Sequence, residues 1–278
     1  MKGVVMAFLR LSDGALDYSP CQYGTSKLRF RGPRVPLSPP YYVCLGGTVT
    51  YGKFIERPFP DLLAGRLEHA VVNLGRVNAG LDTFVEDPTV LELCRNAKGC
   101  IVEVPGAHML SNRLYSVHLR RNDRVISSTQ QLRTLYPEAD LTEIHFVRHL
   151  LCVLREIDAV RFVQVVAELE AAWLARMRTL IEGVDVPVTL LWIRPRPDQA
   201  EMPIPTAPDP LFITESMIDD LRPVLAGVVT VERPPRSDMP APGMIYADVE
   251  RLAASELPGP DVHRQIAGVL SPALAPAV

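Results

Sequence analysis

Residues 41–52 read Tyr-Tyr-Val-Cys-Leu-Gly-Gly-Thr-Val-Thr-Tyr-Gly. Five apolar residues run without alternation into two glycines and then a hydroxyl residue. A strand buried on both faces has that unbroken apolar character. The glycines permit a tight turn and let backbone amides approach a neighbouring group. The stretch therefore predicts a central strand, a sharp turn, and Thr48 near the top of a sheet.

Four more runs share this form: Ala70–Gly75, Gly99–Val104, Pro187–Ile193 and Gly227–Val231. Between them lie helical patterns. Phe59–His69 carries Leu62, Leu63 and Leu67, and Pro88–Ala97 starts with proline behind Asp87 as the expected N-cap. Asp140-Leu-Thr-Glu143 reads as a capping box opening a helix with Ile144, Val147, Leu151 and Leu154 on one face. Arg161–Glu182 is a long amphipathic helix, and Ile266, Val269 and Leu270 mark a last short one. Strand–helix alternation at this spacing predicts a three-layer α/β/α fold around a five-stranded parallel sheet, flavodoxin-like in class. Residues 1–40 read as an N-terminal extension to a single domain over 41–278. Residues 107–157 form an insert after the third strand, polar and rich in arginine over 107–139. Residues 195–210, with six prolines in sixteen positions, form an extended loop.

The 278 residues are 47% hydrophobic and 22% charged, with a formal net charge of −3. Such a chain buries a full core and is not disordered. No apolar run reaches the roughly 20 residues needed to span a bilayer. The Gly3–Leu9 stretch is short for a signal peptide and no small-residue cleavage site follows, so a cytoplasmic protein is expected. The five cysteines are scattered, with no Cys-x-x-Cys, which argues against a disulfide framework or a structural zinc site. The near-neutral total hides a sorting of charge. Residues 21–57 hold six basic residues and one acidic, and residues 107–136 hold five arginines against Asp123. From residue 200 onward there are eleven acidic residues and five arginines, and 16 of the 26 prolines fall in the last 92 residues.

In an open parallel sheet, ligands bind beyond the carboxyl ends of the strands. The residues to inspect are then Gly46-Gly47-Thr48 after the first strand, Asn73 to Gly80 (with Gly75 and Asn78) after the second, and Gly106-Ala107-His108 with Asn112 after the third. Near the C-terminus, His263 follows Asp261 at the start of the last helix. Arg113, Arg120, Arg121 and Arg124 follow the third strand, and with Lys27, Arg29, Arg31 and Arg34 they are candidates for an anion-binding rim. Aromatic interleaving is sparse there, so no nucleic-acid partner is expected. His145 and His149 stand four apart, but Phe146 occupies the place of the glutamate in His-Glu-x-x-His, and they read as structural. No metal or cofactor is called for.

This series resembles the SGNH/GDSL hydrolase superfamily. Gly46-Gly47-Thr48 stands where those enzymes carry Gly-Asp-Ser; Asn73, Gly75 and Gly80 match the turn after their second strand; and Gly106-Ala107-His108 stands where they carry Gly-x-Asn. Asp261 and His263 are the nearest match to their C-terminal Asp-x-x-His, although His263-Arg-Gln-Ile266-Ala267 equally matches their second, non-catalytic histidine. The chain is also similar to a bacterial family without an assigned activity that shares the strings Leu45–Lys53 and Arg57–Pro60. The resemblance implies ester hydrolysis or acyl transfer on a small or glycan-linked substrate. Thr48 would be the nucleophile, His263 the base and Asp261 its orienter. The amides around Gly47 and Gly75, with Asn78, His108 or Asn112, would meet the oxyanion and substrate. The competing reading is a degenerate or transferase-like protein of this fold that holds an anionic, phosphorylated or sulfated ligand. A nucleophile at Thr48 requires a histidine within hydrogen-bond reach; an anion site requires cations converging on the Gly46–Gly52 loop.

Overall fold

The computed structural model describes residues 16–38, 40–200, 202–235 and 237–274. The Gly3–Leu9 stretch lies outside the described residues. Five strands form one parallel sheet: β1 (Tyr41–Leu45), β2 (Ala70–Asn73), β3 (Gly99–Glu103), β6 (Val188–Arg194) and β7 (Gly227–Glu232). Two more, β4 (Tyr115–His118) and β5 (Arg121–Ser128), pair as an antiparallel hairpin. The sheet order is β2-β1-β3-β6-β7, so the chain leaves β1 toward one edge and returns on its other side at β3. That reversal opens a crevice above the carboxyl ends of β1 and β3.

Each strand feeds both faces, as its unbroken apolar sequence requires. Tyr41, Val43 and Leu45 join one buried cluster with Val102, Leu190 and Trp192. Tyr42 and Cys44 join another with Ile101, Leu191 and Ile193. The first face is covered by the helices Pro88–Arg95, Val147–Ile157 and Ala159–Val184, whose Leu93, Leu151, Leu169 and Trp173 lie in the same cluster. The second is covered by Phe59–Leu67 and Pro260–Leu274, through Phe59, Leu63, Ile266 and Leu270. This is a three-layer α/β/α architecture. Burying ten such side chains contributes on the order of 15–30 kcal/mol before chain entropy is charged against it.

Asp87 caps its helix as expected, accepting from the amides of Thr89 at 3.0 Å and Val90 at 3.2 Å. Asp140 does not. Its carboxylate accepts from the Thr142 amide at 3.0 Å and from the Thr142 hydroxyl, a local turn that competes with helix. The helix starts instead at Val147, after Phe146, which is extended and bridges Arg124. Asp158 caps the long helix, which starts at Ala159, two residues before its expected start. The arginine-rich stretch folds as the β4–β5 hairpin and a short helix, Gln130–Leu135. Tyr23, Leu28 and Phe30, within the N-terminal extension, are buried in the main core. Among the described residues no helix is long and apolar enough to cross a membrane.

Candidate functional site

A cleft of about 610 Å³ lies over the carboxyl ends of β1, β3 and β6. Gly47, Thr48 and Val49 line it from the β1 turn, Val77 and Asn78 from the β2 loop, and Glu103 from the end of β3. The 205–210 segment, with Arg148, Arg233 and Leu252, closes the opposite side.

The turn is held by Glu103. Its Oε2 accepts from the amides of Gly47 at 3.1 Å and Thr50 at 2.8 Å, and from the Thr50 hydroxyl. Those amides stand at the start of the short Thr48–Tyr51 helix, where no preceding carbonyl is in reach. A Cβ at Gly46 would overlap the Thr50 hydroxyl and lie 2.5 Å from Glu103 Oε2, so glycine is what lets the carboxylate sit there. Glu103 Oε1 takes no hydrogen bond from the described residues and is left to the cleft. Burial pushes the Glu103 carboxyl above its ordinary value, and its bonds to Thr50 and Gly47 offset that only in part.

Thr48 Oγ1 accepts from the Asn78 amide at 3.2 Å, which leaves its own O–H proton uncommitted. Asn78, with φ at +57°, passes its side-chain amide to Asp123 at 3.0 Å. The Gly75 amide is spent within its own turn: it donates to Asn73 Oδ1 at 2.8 Å, while Asn73 Nδ2 donates to the Thr50 carbonyl at 2.8 Å. A Cβ on Gly75 would overlap the Tyr51 amide, so this glycine serves the close packing of two turns.

Across the cleft, Arg148 gathers the proline-rich segment. It donates to the carbonyls of Ile204 and, at 2.8 Å, Ala207, and pairs with Asp209 at 3.0 Å. His108 lies behind Asp209, with Nε2 at 3.8 Å from it and Nδ1 buried without a partner. Burial lowers His108 to about 4, so its imidazole is neutral. Burial would raise Asp209, but Arg148 first and His108 next outweigh it and hold the carboxyl below its ordinary value.

The remaining sequence candidates lie elsewhere. His263 is buried, its ring stacked on Phe59 and its Nδ1 accepting from the Phe59 amide at 3.1 Å. Burial, with Arg31 adding, lowers it to about 3. Asp261 is exposed and pairs with Arg264, so the two are not brought together. Asn112 braces its own turn through the amides of Leu114 and Tyr115. Arg113 pairs with buried Glu168, Arg120 and Arg121 are exposed at the hairpin, and Arg124 stacks 4.9 Å over Phe146; none of the four lines the cleft. Arg31 is buried and donates to the carbonyls of Gly52 at 2.7 Å and Glu56 at 2.8 Å. All six histidines of the chain are described, and none lines the cleft. Among the described residues no group of His, Cys, Asp or Glu is placed to hold a metal ion.

Sequence reasoning missed Glu103, Arg148 and Asp209. Glu103 had a signal, an acid alone at the end of an apolar strand. Arg148 and Asp209 had none, because their pairing joins a helix of the insert to a loop some sixty residues away.

The family model for a domain of unknown function, DUF6473, matches residues 6–278. The chain belongs to the DUF6473 family. No curated protein matches it in sequence. Among solved structures, this DUF6473 chain is similar to a carbohydrate esterase family 2 enzyme with a carbohydrate-binding domain from Corynascus thermopiles (Myceliophthora fergusii). That pair has 12% identity and a TM-score of 0.46, covering 88% of this chain and 68% of the other. It is similar also to a lipase from a goat rumen metagenome, at 11% identity and a TM-score of 0.41, covering 84% and 97%. A third is a family two carbohydrate esterase from Cellvibrio japonicus, at 13% identity and a TM-score of 0.41, covering 88% and 63%. The chemistry of the DUF6473 cleft is read from its own residues.

Proposed function

We propose that the cleft is the active site of an ester hydrolase or acyl transferase that takes a small or glycan-linked ester, with Thr48 as the attacking hydroxyl. The observation that carries this reading is that Thr48 lines the cleft with its hydroxyl proton uncommitted, and that the carboxylate of Glu103 lines the same cleft with Oε1 taking no hydrogen bond. Val49, Val77, Val104 and Met109 give the cleft apolar wall for an acyl group. The Thr48 amide, at the open first turn of its helix, faces the developing oxyanion. Thr48 carries an extra methyl and a stiff χ1 compared with serine, so slow turnover of small acyl groups is expected. Turnover of nitrophenyl esters of increasing acyl length tests this. Thr48→Ala should remove activity, with a loss of about 10³-fold or more. Wild-type protein inert on every ester, or activity unchanged in Thr48→Ala, contradicts it.

One observation favours a second reading, a site for an anionic ligand: Lys53, Arg148 and Arg233 line the same cleft. Glu103, Asp209 and Glu256 line it too, so the cleft is balanced in sign, and Lys53 pairs with Glu250 at 3.4 Å. Inorganic phosphate or sulfate raising the melting temperature of wild type, and not of Lys53→Ala, would support this reading over the first.

A further inference from the structure

We infer that Glu103 is the proton-transfer residue of this cleft, doing the work a histidine would otherwise do. The inference rests on the acyl-transfer reading of the same site. That reading needs a base, and none of the chain's six histidines lines the cleft. His263 has its Nδ1 committed to the Phe59 amide, and His108 is enclosed behind Asp209.

Three carboxylates line the cleft: Glu103, Asp209 and Glu256. Asp209 is tied to Arg148 at 3.0 Å, which keeps it ionised and weakly basic. Glu256 lines the cleft beside Leu257, where its backbone carbonyl accepts from Arg233. Glu103, at the end of β3, is bonded to the turn that carries Thr48, accepting from the amides of residues 47 and 50 on either side of it. Its two oxygens are divided in function: Oε2 accepts three hydrogen bonds, and Oε1 takes none. A carboxylate anchored by one oxygen presents the other at a fixed place in the cleft; the Thr48 hydroxyl, which is not bonded to it in the unliganded site, comes within reach when the ester binds. Burial raises its proton affinity, with Asp209 adding to the rise, and that makes it a better base than an exposed glutamate.

The step balances without a co-reactant from outside. As Thr48 Oγ1 forms its bond to the ester carbonyl carbon, its proton passes to Glu103. The tetrahedral intermediate collapses by breaking the carbon–oxygen bond to the alcohol, which takes that proton and leaves. Water, or an acceptor hydroxyl, then gives a proton to Glu103 as its oxygen bonds the acyl carbon. The bond from the acyl carbon to Oγ1 breaks, and Thr48 recovers the proton.

The test is the pH–rate profile for a short-chain nitrophenyl ester in wild type, Thr48→Ala, Glu103→Gln and Thr50→Val. Wild type should gain rate as pH rises through the Glu103 carboxyl and then level off. Glu103→Gln keeps an acceptor for the two turn amides. It should lower kcat by about 10²-fold or more, leave KM within threefold, and lose the acid limb. Thr50→Val removes the hydroxyl bond that stabilises the carboxylate, so its acid limb should move to higher pH while the plateau stays. This second variant keeps the test open where Glu103→Gln does not fold. Loss of activity in Thr48→Ala with rate and limb retained in Glu103→Gln overturns the role of Glu103 and leaves the acyl-transfer reading standing. An acid limb unmoved in Thr50→Val also overturns it. No turnover in wild type overturns both.

Discussion

Gly46 carries more of this site than its size suggests. A methyl there would meet the Thr50 hydroxyl and Glu103 Oε2, displacing the carboxylate or opening the turn. Gly46→Ala should therefore cost about 1–3 kcal/mol in a denaturant titration, the usual range for overpacking a closed site. A midpoint unchanged from wild type would show that the turn has room. Histidine burial sets a second residue-scale expectation. His263 and His108 lie at about 3 and about 4 in the fold, against 6.5 when exposed. Both are depressed, so the unfolded chain binds more protons between these values. Their contribution is complete above pH 6.5 and is lost as pH falls toward 4, by about 1.4 kcal/mol per pH unit for each. His263→Gln should flatten the fall in stability between pH 6 and 4 by one proton's worth. A slope equal to wild type would mean that His263 titrates normally in the fold.

At the scale of elements, the Val147–Ile157 helix and the proline-rich loop depend on each other through Arg148. Removing that guanidinium leaves two carbonyls and Asp209 without their donor. In Arg148→Ala, amide exchange across residues 203–210 should quicken by about tenfold or more, while β1 and β3 keep wild-type protection. Unchanged exchange in the loop would show that its prolines suffice to hold it. The same elements show where sequence was legible. All five sheet strands begin and end within two residues of the apolar runs that announced them: β1, β2, β3 and β6 are buried on both faces and have few polar positions to blur an edge, and β7, only partly buried, starts at Gly227. Asp140 misled because the side chain that caps a helix also closes a local turn, and sequence does not say which. The hairpin in the insert gave no alternating signal, since Arg121–Ser128 buries Asn122 alone and leaves the rest half-buried or exposed.

Over the whole molecule, the sheet order puts the switch point between β1 and β3, and the cleft lies there. Position after a strand was therefore enough to select Gly47, Thr48 and Asn78, which line it. Charge sorting was a poorer guide. Basic segments are conspicuous in sequence, yet Arg113, Arg120, Arg121 and Arg124 face Glu168, Phe146 or solvent, and Arg31 is buried against backbone carbonyls. Of the cations at the cleft, Arg148 and Arg233 stand in no basic segment, and Lys53 stands in the 21–57 segment well after its Lys27–Arg34 cluster. Which charges converge is decided by the packing of distant segments, and pairing cancels most of what composition counts. The central claim is that Thr48 forms a bond to an acyl group, and trapping that bond tests it most directly. Protein incubated with nitrophenyl acetate, quenched in acid and digested, should yield by mass spectrometry an acetyl group on Thr48, absent from Thr48→Ala. Turnover with no acyl group on Thr48, or with the group on another residue, would contradict the account.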